Sequence, residues 1–460
     1  MISTSIVSFL NHIDSWMWNY CLVILLCGLG VFLTVRLKGM QFRYLAYSLK
    51  LAFTRSDDNA EGDISQFQSL MTALAATIGI GSIAGVATAI VAGGFGAIFW
   101  MWVIALIGMV TKFAEAILAV KYRIVDKRGE MCGGPMYYIT QGLGWRWLGV
   151  VFAVFGALSA FAGGNMTQSN SIAAAMHDLI GLSPLWCGII LMMFTSVVIL
   201  GGIKTIGKVS SYLVPMMALM YAIGGVIILC AHYERIPASL MNIVSTAFTG
   251  QAAFGGFLGA SVMAAIQMGV ARGVSSNEAG LGSAPIAAAA AKTDVPGRQA
   301  LISMTGVFLS SIVVCTITAL VVSVTDVLGM VGADGRALNG APLVMQAFRS
   351  VIPGGGAIVA IGLVLFGYTT IIGWAYYGEK CIEFMAGERT LKIYRILFCL
   401  MAFFGAIMSF DIVWPLVDIM NGLMALPNLI GLFALSGVVV AEANGFFALL
   451  KHEKKEAELS

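Results

Sequence analysis

Eleven apolar stretches divide this 460-residue chain, at roughly 16–37, 66–92, 96–120, 146–175, 184–203, 209–231, 246–271, 299–325, 345–377, 392–410 and 413–440. Each approaches or exceeds the about 20 helical residues that a bilayer core requires. Charged residues make up only 11% of the chain, against roughly 25% in a soluble domain. That is too little charge to cover water-facing surfaces of such a length, which excludes a soluble enzyme, a disordered chain and a nucleic-acid binder. In lipid every backbone polar group must pair internally, so the spans are helices or the strands of a closed barrel. The ten-residue alternation of a barrel is absent. The expected fold is an all-α polytopic membrane protein. Its eight cysteines stand singly, without CxxC or Cys/His clusters, and read as apolar filler rather than disulfides or metal ligands. No basic stretch precedes the first apolar run, so no cleaved signal peptide is expected.

Lys and Arg assign a direction. With eleven spans drawn, 22 of the 26 basic residues fall on one side. They include Arg36 to Arg55 in the first loop, Lys121 to Arg146 in the third, Arg272 in the seventh and Lys380 in the ninth. Arg235, Arg336 and Arg349 face the other side, and Lys112 lies within a span. The N-terminus is therefore expected outside and the C-terminus in the cytoplasm of a bacterial or archaeal plasma membrane. Phe42, Leu45, Leu49 and Phe53 recur at helical spacing between the first two spans, as in a helix resting among cytoplasmic headgroups.

The second span is interrupted by Gly79-Ile80-Gly81-Ser82. No strand precedes these glycines, so they are not a phosphate loop. Small residues serve close helix packing, which accounts for Gly85; two glycines and a serine together weaken a helix. Backbone freed at that depth is tolerated only where it lines a cavity. Five spans later Gly255, Gly256 and Gly259 interrupt another apolar run. Paired interruptions in two five-helix halves are the mark of an inverted-repeat transporter. The expected division is an extra helix (1–40), an amphipathic helix and loop (41–62), a first repeat (63–235), a second repeat (236–440) and a cytoplasmic tail (441–460).

At TALAATIGIGSIAGVATAI, GGFGAIFWMWVIALIGMVTKFAEAILAVKYR, GGPMYYI, GNMTQSNSIA, GVARGVSSNEAGLGSAPIAAAAA, FGYTTIIGWAYYGE and WPLVDIMNGLMALPNL the chain resembles the alanine or glycine:cation symporter family, over essentially its whole length. The resemblance implies a LeuT-type 5+5 inverted repeat with two broken helices. It also implies uptake of a small neutral amino acid coupled to sodium or, in some members, to protons, with no cofactor beyond the coupling ion. In one place this chain departs from the family, which usually carries Gly-x-Gly-Asn where Gly79-Ile80-Gly81-Ser82 stands. An Asn there can bind a second sodium in LeuT-type carriers, so the replacement argues against a second cation site.

A zwitterion needs donors for its carboxylate, acceptors for its ammonium and a pocket for its side chain. N–H groups around Thr77, Gly79, Gly81 and Ser82 are the expected donors, since no span offers a mid-membrane Arg. Carbonyls near Phe254 to Phe257, and Gln168, are the candidate acceptors. Gln168 and Asn170 sit deep in a span, where amides serve either function or interhelical bonding. Thr370 and Trp374 share a helical face; with the resemblance they suggest a pocket closed by an indole, although Trp also favours membrane interfaces. Sodium seeks about five or six oxygens by hard-cation logic. Thr369 and Thr370 offer hydroxyls, unless these bond their own helix. Similarity to the LeuT-type sodium site implies carbonyls of Ala75, Ile78 and Phe366 as the remainder. For a proton, Asp418 is the best candidate, as a proton-carrying, gating or merely structural carboxylate. Lys112 and Glu115 read as a structural ion pair, and Glu278 and Glu379 as gate or loop anchors at the cytoplasmic face.

The leading expectation is thus sodium-coupled symport of alanine or glycine. The alternatives are proton coupling or another neutral substrate such as serine or glutamine. No HExxH, GxSxG or paired deep acids suggest an enzyme, and no pore loop or ring of charge suggests a channel. The expected partners are the amino acid, the cation and the lipid bilayer; no oligomer is implied.

Overall fold

The computed structural model describes residues 12–13, 16–54, 60–250, 261–332, 335–408 and 410–459, and these are mostly helical. Among them, seven helical segments are long and apolar enough to cross a membrane. The chain is accordingly a multi-pass membrane protein. The first helices are α1 (Val23–Arg36) and α2 (Met40–Ala52), which meet at 85°. Lys38 and Gly39 turn the corner with positive φ angles of 55° and 62°.

An interrupted span follows, made of α3 (Gln66–Thr77) and α4 (Ala84–Gly93), and then α5 (Gly96–Lys121). A hairpin (β1 Ile124–Val125, β2 Met131–Cys132) leads to α6 (Pro135–Leu143). Helices α7 (Arg146–Phe161) and α8 (Thr167–Ile180) run on from one another through a π-helical turn, Ala162–Met166. Next come α9 (Pro184–Leu200), α10 (Gly202–Ala231), α11 (Ile236–Thr249) and α12 (Val262–Asn277). The short α13 (Ala284–Ala289) precedes α14 (Pro296–Val307) and α15 (Cys315–Val324), which are joined by a second π-helical turn, Phe308–Val314. The chain ends with α16 (Gly340–Arg349), α17 (Gly355–Ala386), α18 (Leu391–Ile407), α19 (Phe410–Ala434) and α20 (Ser436–Leu459).

Helix α5 is the buried mast of the bundle, and α12 and α14 pack along it. Backbone touches backbone there because the contact residues are small. A Cβ on Gly269 of α12 would lie 2.4 Å from the Ala97 carbonyl oxygen, and, where α11 also meets α5, one on Gly96 would lie 2.6 Å from Ala247 N.

Several expected boundaries move. The span expected at 345–377 is two helices, because Gly354, at φ 74°, separates amphipathic α16 from α17. Helix α17 then continues to Ala386 and carries Lys380 inside the protein rather than in a loop. Arg272 likewise belongs to α12, since nothing between Ser261 and Asn277 breaks a helix. The expected tail is helical: most of it forms α20, whose Phe447 stacks on Tyr44 of α2.

Candidate functional site

The interruption of the second span is built by local chemistry. A reciprocal pair of bonds between Ser65 and Gln68 starts α3. The helix stops at Thr77, and Gly79 turns extended, at φ −111° and ψ −160°. The first bond of the following turn runs from Ser82 N–H to the Gly79 carbonyl. The N–H groups of Gly79, Ile80 and Gly81 therefore begin this turn without a backbone acceptor. This is a small cradle of donors inside a helical bundle.

Thr77, Gly79, Ile80 and Gly81 line a cavity of about 620 Å³. Among the residues that line it, Asp178 and Asn339 are exposed, and Glu278 and Trp374 are buried. The exposed pair, on α8 and at the start of α16, marks where the cavity opens. Gln168, Thr370 and Asp418 also line it. Six of the residues singled out for substrate from the sequence, Thr77, Gly79, Gly81, Gln168, Thr370 and Trp374, surround one space. Phe257 and the second glycine cluster lie outside the described residues. Ser82 is not on the wall: its hydroxyl meets Ser276 Oγ at 3.1 Å and its carbonyl accepts from Thr318 at 3.0 Å. A residue inside the 3₁₀ turn points across the break, away from the cavity its neighbours line.

The oxygens expected around a cation also gather. Thr370 Oγ1 lies 3.0 Å from the Ala75 carbonyl and 2.9 Å from the Phe366 carbonyl, and Thr369 Oγ1 is 3.0 Å from the latter. Ile78 is buried beside them in the chain, its N–H bonded to Leu74. A Cβ on Gly79 would meet Thr370 Oγ1 at 2.7 Å, so the break and this oxygen cluster are in direct contact.

Trp374 is 4% exposed and its indole N–H donates to Glu278 at 3.1 Å. The indole lines the cavity, not the lipid. Gly164 permits this, because a Cβ there would lie 2.2 Å from Trp374 Cβ. Asn170 takes the interhelical reading: it donates to the carbonyls of Gly405 and Met408 at 3.0 and 2.6 Å. Glu379 anchors α18 through Arg395 at 2.7 Å.

Three findings concern charge. Arg272, expected in a loop, instead lines the cavity with its guanidinium 3.7 Å from Asp418. Glu278, expected as a gate or loop anchor, is buried and lines the cavity. Lys112 and Glu115 make no ion pair with one another within 4 Å. Lys112 donates to the Asn277 carbonyl at 3.0 Å, and Glu115 accepts from the N–H groups of Gly280 and Gly282, both at 3.1 Å. Irregular backbone buried among helices must be paired, and these two charges pair it. The sequence held one signal for Arg272, an unbroken helical run from Val262. It held none for Asn421, which lines the cavity from α19.

Away from the cavity, the hairpin is tied to the end of α17. Arg128 bridges Asp126, Glu130 and Glu383 at 3.0 to 3.2 Å, and buried Lys380 meets Glu383 at 2.9 Å. Asp126, Cys132 and Glu383 could crowd a metal ion, but Lys380 reaches 3.2 Å from the Cys132 sulfur and occupies that space. Burial pushes the Cys132 thiol up to about 11. Burial also pushes Asp126 up, but the Glu130 N–H, the Glu383 side chain, Lys380 and Arg128 outweigh it and hold the carboxyl below its usual range. Arg123 donates four bonds, to the carbonyls of Glu61, Ala289, Ala291 and Thr293, stitching three loops together.

Comparison with known proteins adds a family. The model of the sodium:alanine symporter family matches residues 3–459. The sodium/alanine symporter AgcS of Methanococcus maripaludis is 54% identical over 456 residues, covering 98% of this chain and 99% of that protein. An uncharacterized transporter of Haemophilus influenzae is 49% identical over 451 residues, with 97% of each covered. Among solved structures, MhsT in complex with L-phenylalanine is similar with a TM-score of 0.60 at 12% identity, covering 84% of this chain and 93% of MhsT. That likeness is one of fold.

Proposed function

The chain belongs to the sodium:alanine symporter family, and we propose that it carries a small neutral amino acid, alanine or glycine, into the cell together with sodium. The observation that carries this reading is the contact between helix break and oxygen cluster, with Thr370 on the wall of the cavity that the break lines. The substrate carboxylate takes the N–H groups of Gly79, Ile80 and Gly81, reinforced by the positive end of α4. Sodium sits among the oxygens of Ala75, Phe366, Thr369 and Thr370, with Ile78 adjacent, and both hydroxyls rotate to present lone pairs. Trp374 bounds the side-chain pocket, held by Glu278. Substrate and ion then stabilise the same break, which is what couples them.

In this reading eleven spans form one extra helix and two inverted five-helix repeats. The cavity is open to the outside at Asp178 and Asn339, and the N-terminus is outside with the C-terminus cytoplasmic. Alternating access closes that mouth and opens the floor at Glu278 and Trp374. The Arg272–Asp418 pair crosses the cavity and serves as a gate, because opposing charges on α12 and α19 move apart only when those helices do. The test is uptake of labelled alanine into proteoliposomes with a sodium or a proton gradient imposed separately. Uptake on sodium alone is expected. Uptake on protons alone sinks the oxygen site and returns Asp418 to the centre as the proton carrier. Competition by glycine, serine and glutamine ranks the substrates.

A further inference from the structure

Two side-chain carbonyl oxygens in the cavity region are buried without a hydrogen-bond partner among the described residues: Gln168 Oε1 and Asn421 Oδ1. Both residues line the cavity, and both lie at the π-helical turn Ala162–Met166. Gln168 Nε2 donates to the Gly163 carbonyl at 3.1 Å. That bond decides which way the amide points, since only the nitrogen can donate, and it leaves the oxygen beside the helix break, 3.8 Å from where a Cβ on Gly79 would stand. A Cβ on Gly163 would lie 3.8 and 3.9 Å from the two polar atoms of the Asn421 amide and 2.9 Å from Val417. The glycine therefore lets α19 approach, and the two amides flank one short stretch of backbone.

A buried acceptor without a donor is costly unless something supplies one. The nearest cation on the wall does not: Arg272 faces Asp418 at 3.7 Å, and among the described residues no hydrogen bond joins it to either oxygen. What would satisfy both oxygens is a ligand rich in N–H groups. We propose that Asn421, with Gln168, forms the acceptor pair that receives the primary ammonium of the zwitterionic substrate. This rests on the amino-acid reading above and adds a residue and a selectivity to it. Neutral oxygens bind an ammonium without a countercharge that would hold it against release. They also demand a donor for each oxygen: primary and N-methyl ammonium groups carry at least two N–H groups, whereas an N,N-dimethyl ammonium carries one, so the site disfavours the dimethylated form. A site built around hydrogen bonds rejects analogues that lack them far more strongly than an apolar pocket rejects one methylene.

The experiment compares glycine with N,N-dimethylglycine, and alanine with its N,N-dimethyl form, as competitors of alanine uptake. The wild-type protein, Asn421→Leu and Asn421→Asp are reconstituted side by side. The wild type is expected to prefer the primary amines strongly. Asn421→Leu should raise the half-saturating alanine concentration about tenfold and shrink the preference for glycine over N,N-dimethylglycine by about the same factor, consistent with one lost charge-assisted bond. Asn421→Asp keeps an acceptor and should restore the preference. Thermal stabilisation by sodium alone should be alike in all three, because the oxygen cluster stands on α3 and α17; that readout separates a folded variant from a collapsed one. In a Gln168→Leu/Asn421→Leu double variant the losses should be non-additive, as for two groups on one ligand atom. Unchanged discrimination in a sodium-responsive Asn421→Leu overturns the assignment. A wild-type protein that takes up no neutral amino acid overturns the functional reading, and this assignment with it.

Discussion

Replacing Gly79 by alanine is the sharpest test of contact between the helix break and the cation site. Gly79 has φ −111°, which alanine adopts freely, so the substitution carries no backbone strain. Gly→Ala at a compatible site in fact stabilises by about 0.4–1 kcal/mol through the unfolded chain. The cost is steric and local. The new methyl carbon would stand 2.7 Å from Thr370 Oγ1 and 3.8 Å from Gln168 Oε1. The first distance is well inside contact, so the hydroxyl has to turn away. It then gives up its bonds to the carbonyls of Ala75 and Phe366, at 3.0 and 2.9 Å. The hydroxyl has one proton, shared between these two acceptors, so its loss costs the cluster about 0.5–1.5 kcal/mol net. At about 1.4 kcal/mol per factor of ten, the sodium concentration for half-maximal uptake should rise between about twofold and tenfold. Purified protein should melt within a few degrees of wild type. Gly85→Ala is the control, since it too lies on the cavity wall but a Cβ there meets nothing within 4 Å. A folded Gly79→Ala protein with unchanged sodium dependence would refute the placement of the cation at Thr370.

Trp374→Ala should widen the pocket, so that larger neutral amino acids such as glutamine gain on alanine as competitors about tenfold or more; an unaltered ranking removes Trp374 from the pocket. Arg123→Gln strips three loops of a shared donor and should destabilise the protein by about 3 kcal/mol, read as a Tm lowered by several degrees. For Asp126 the folded pKa is depressed. Its stabilisation of the hairpin is therefore complete above its unfolded value, about 3.9, and is lost as pH falls through the folded value. Amide exchange in residues 124–132 should stay slow near neutrality, quicken only below about pH 4, and be fast at every pH in Asp126→Asn.

Much was legible because it depends on short-range physics. Membrane helices announce themselves by length and apolarity, and Gly79-Ile80-Gly81-Ser82 announces a break because those residues cannot hold a helix. Gln168, Thr370 and Trp374 could be singled out because polar and aromatic groups at depth are conspicuous against so apolar a chain. Asn170 was just as conspicuous, yet it bonds α18, and no rule of spacing separates it from Gln168, two positions away.

By itself, then, the sequence determined the solvent in which this chain lives, its helices and the place where one of them stops. Those follow from composition and from the conformational limits of glycine. Only the tertiary structure decided which polar groups share a space. It turned Ser82 away from the cavity, brought Arg272 to Asp418 across two helices, set Asn421 beside Gly163 and spent Lys112 and Glu115 on a buried turn. Such pairings join residues more than a hundred positions apart, and their direction depends on helix rotation about axes that packing sets. A local pattern carries no record of that rotation.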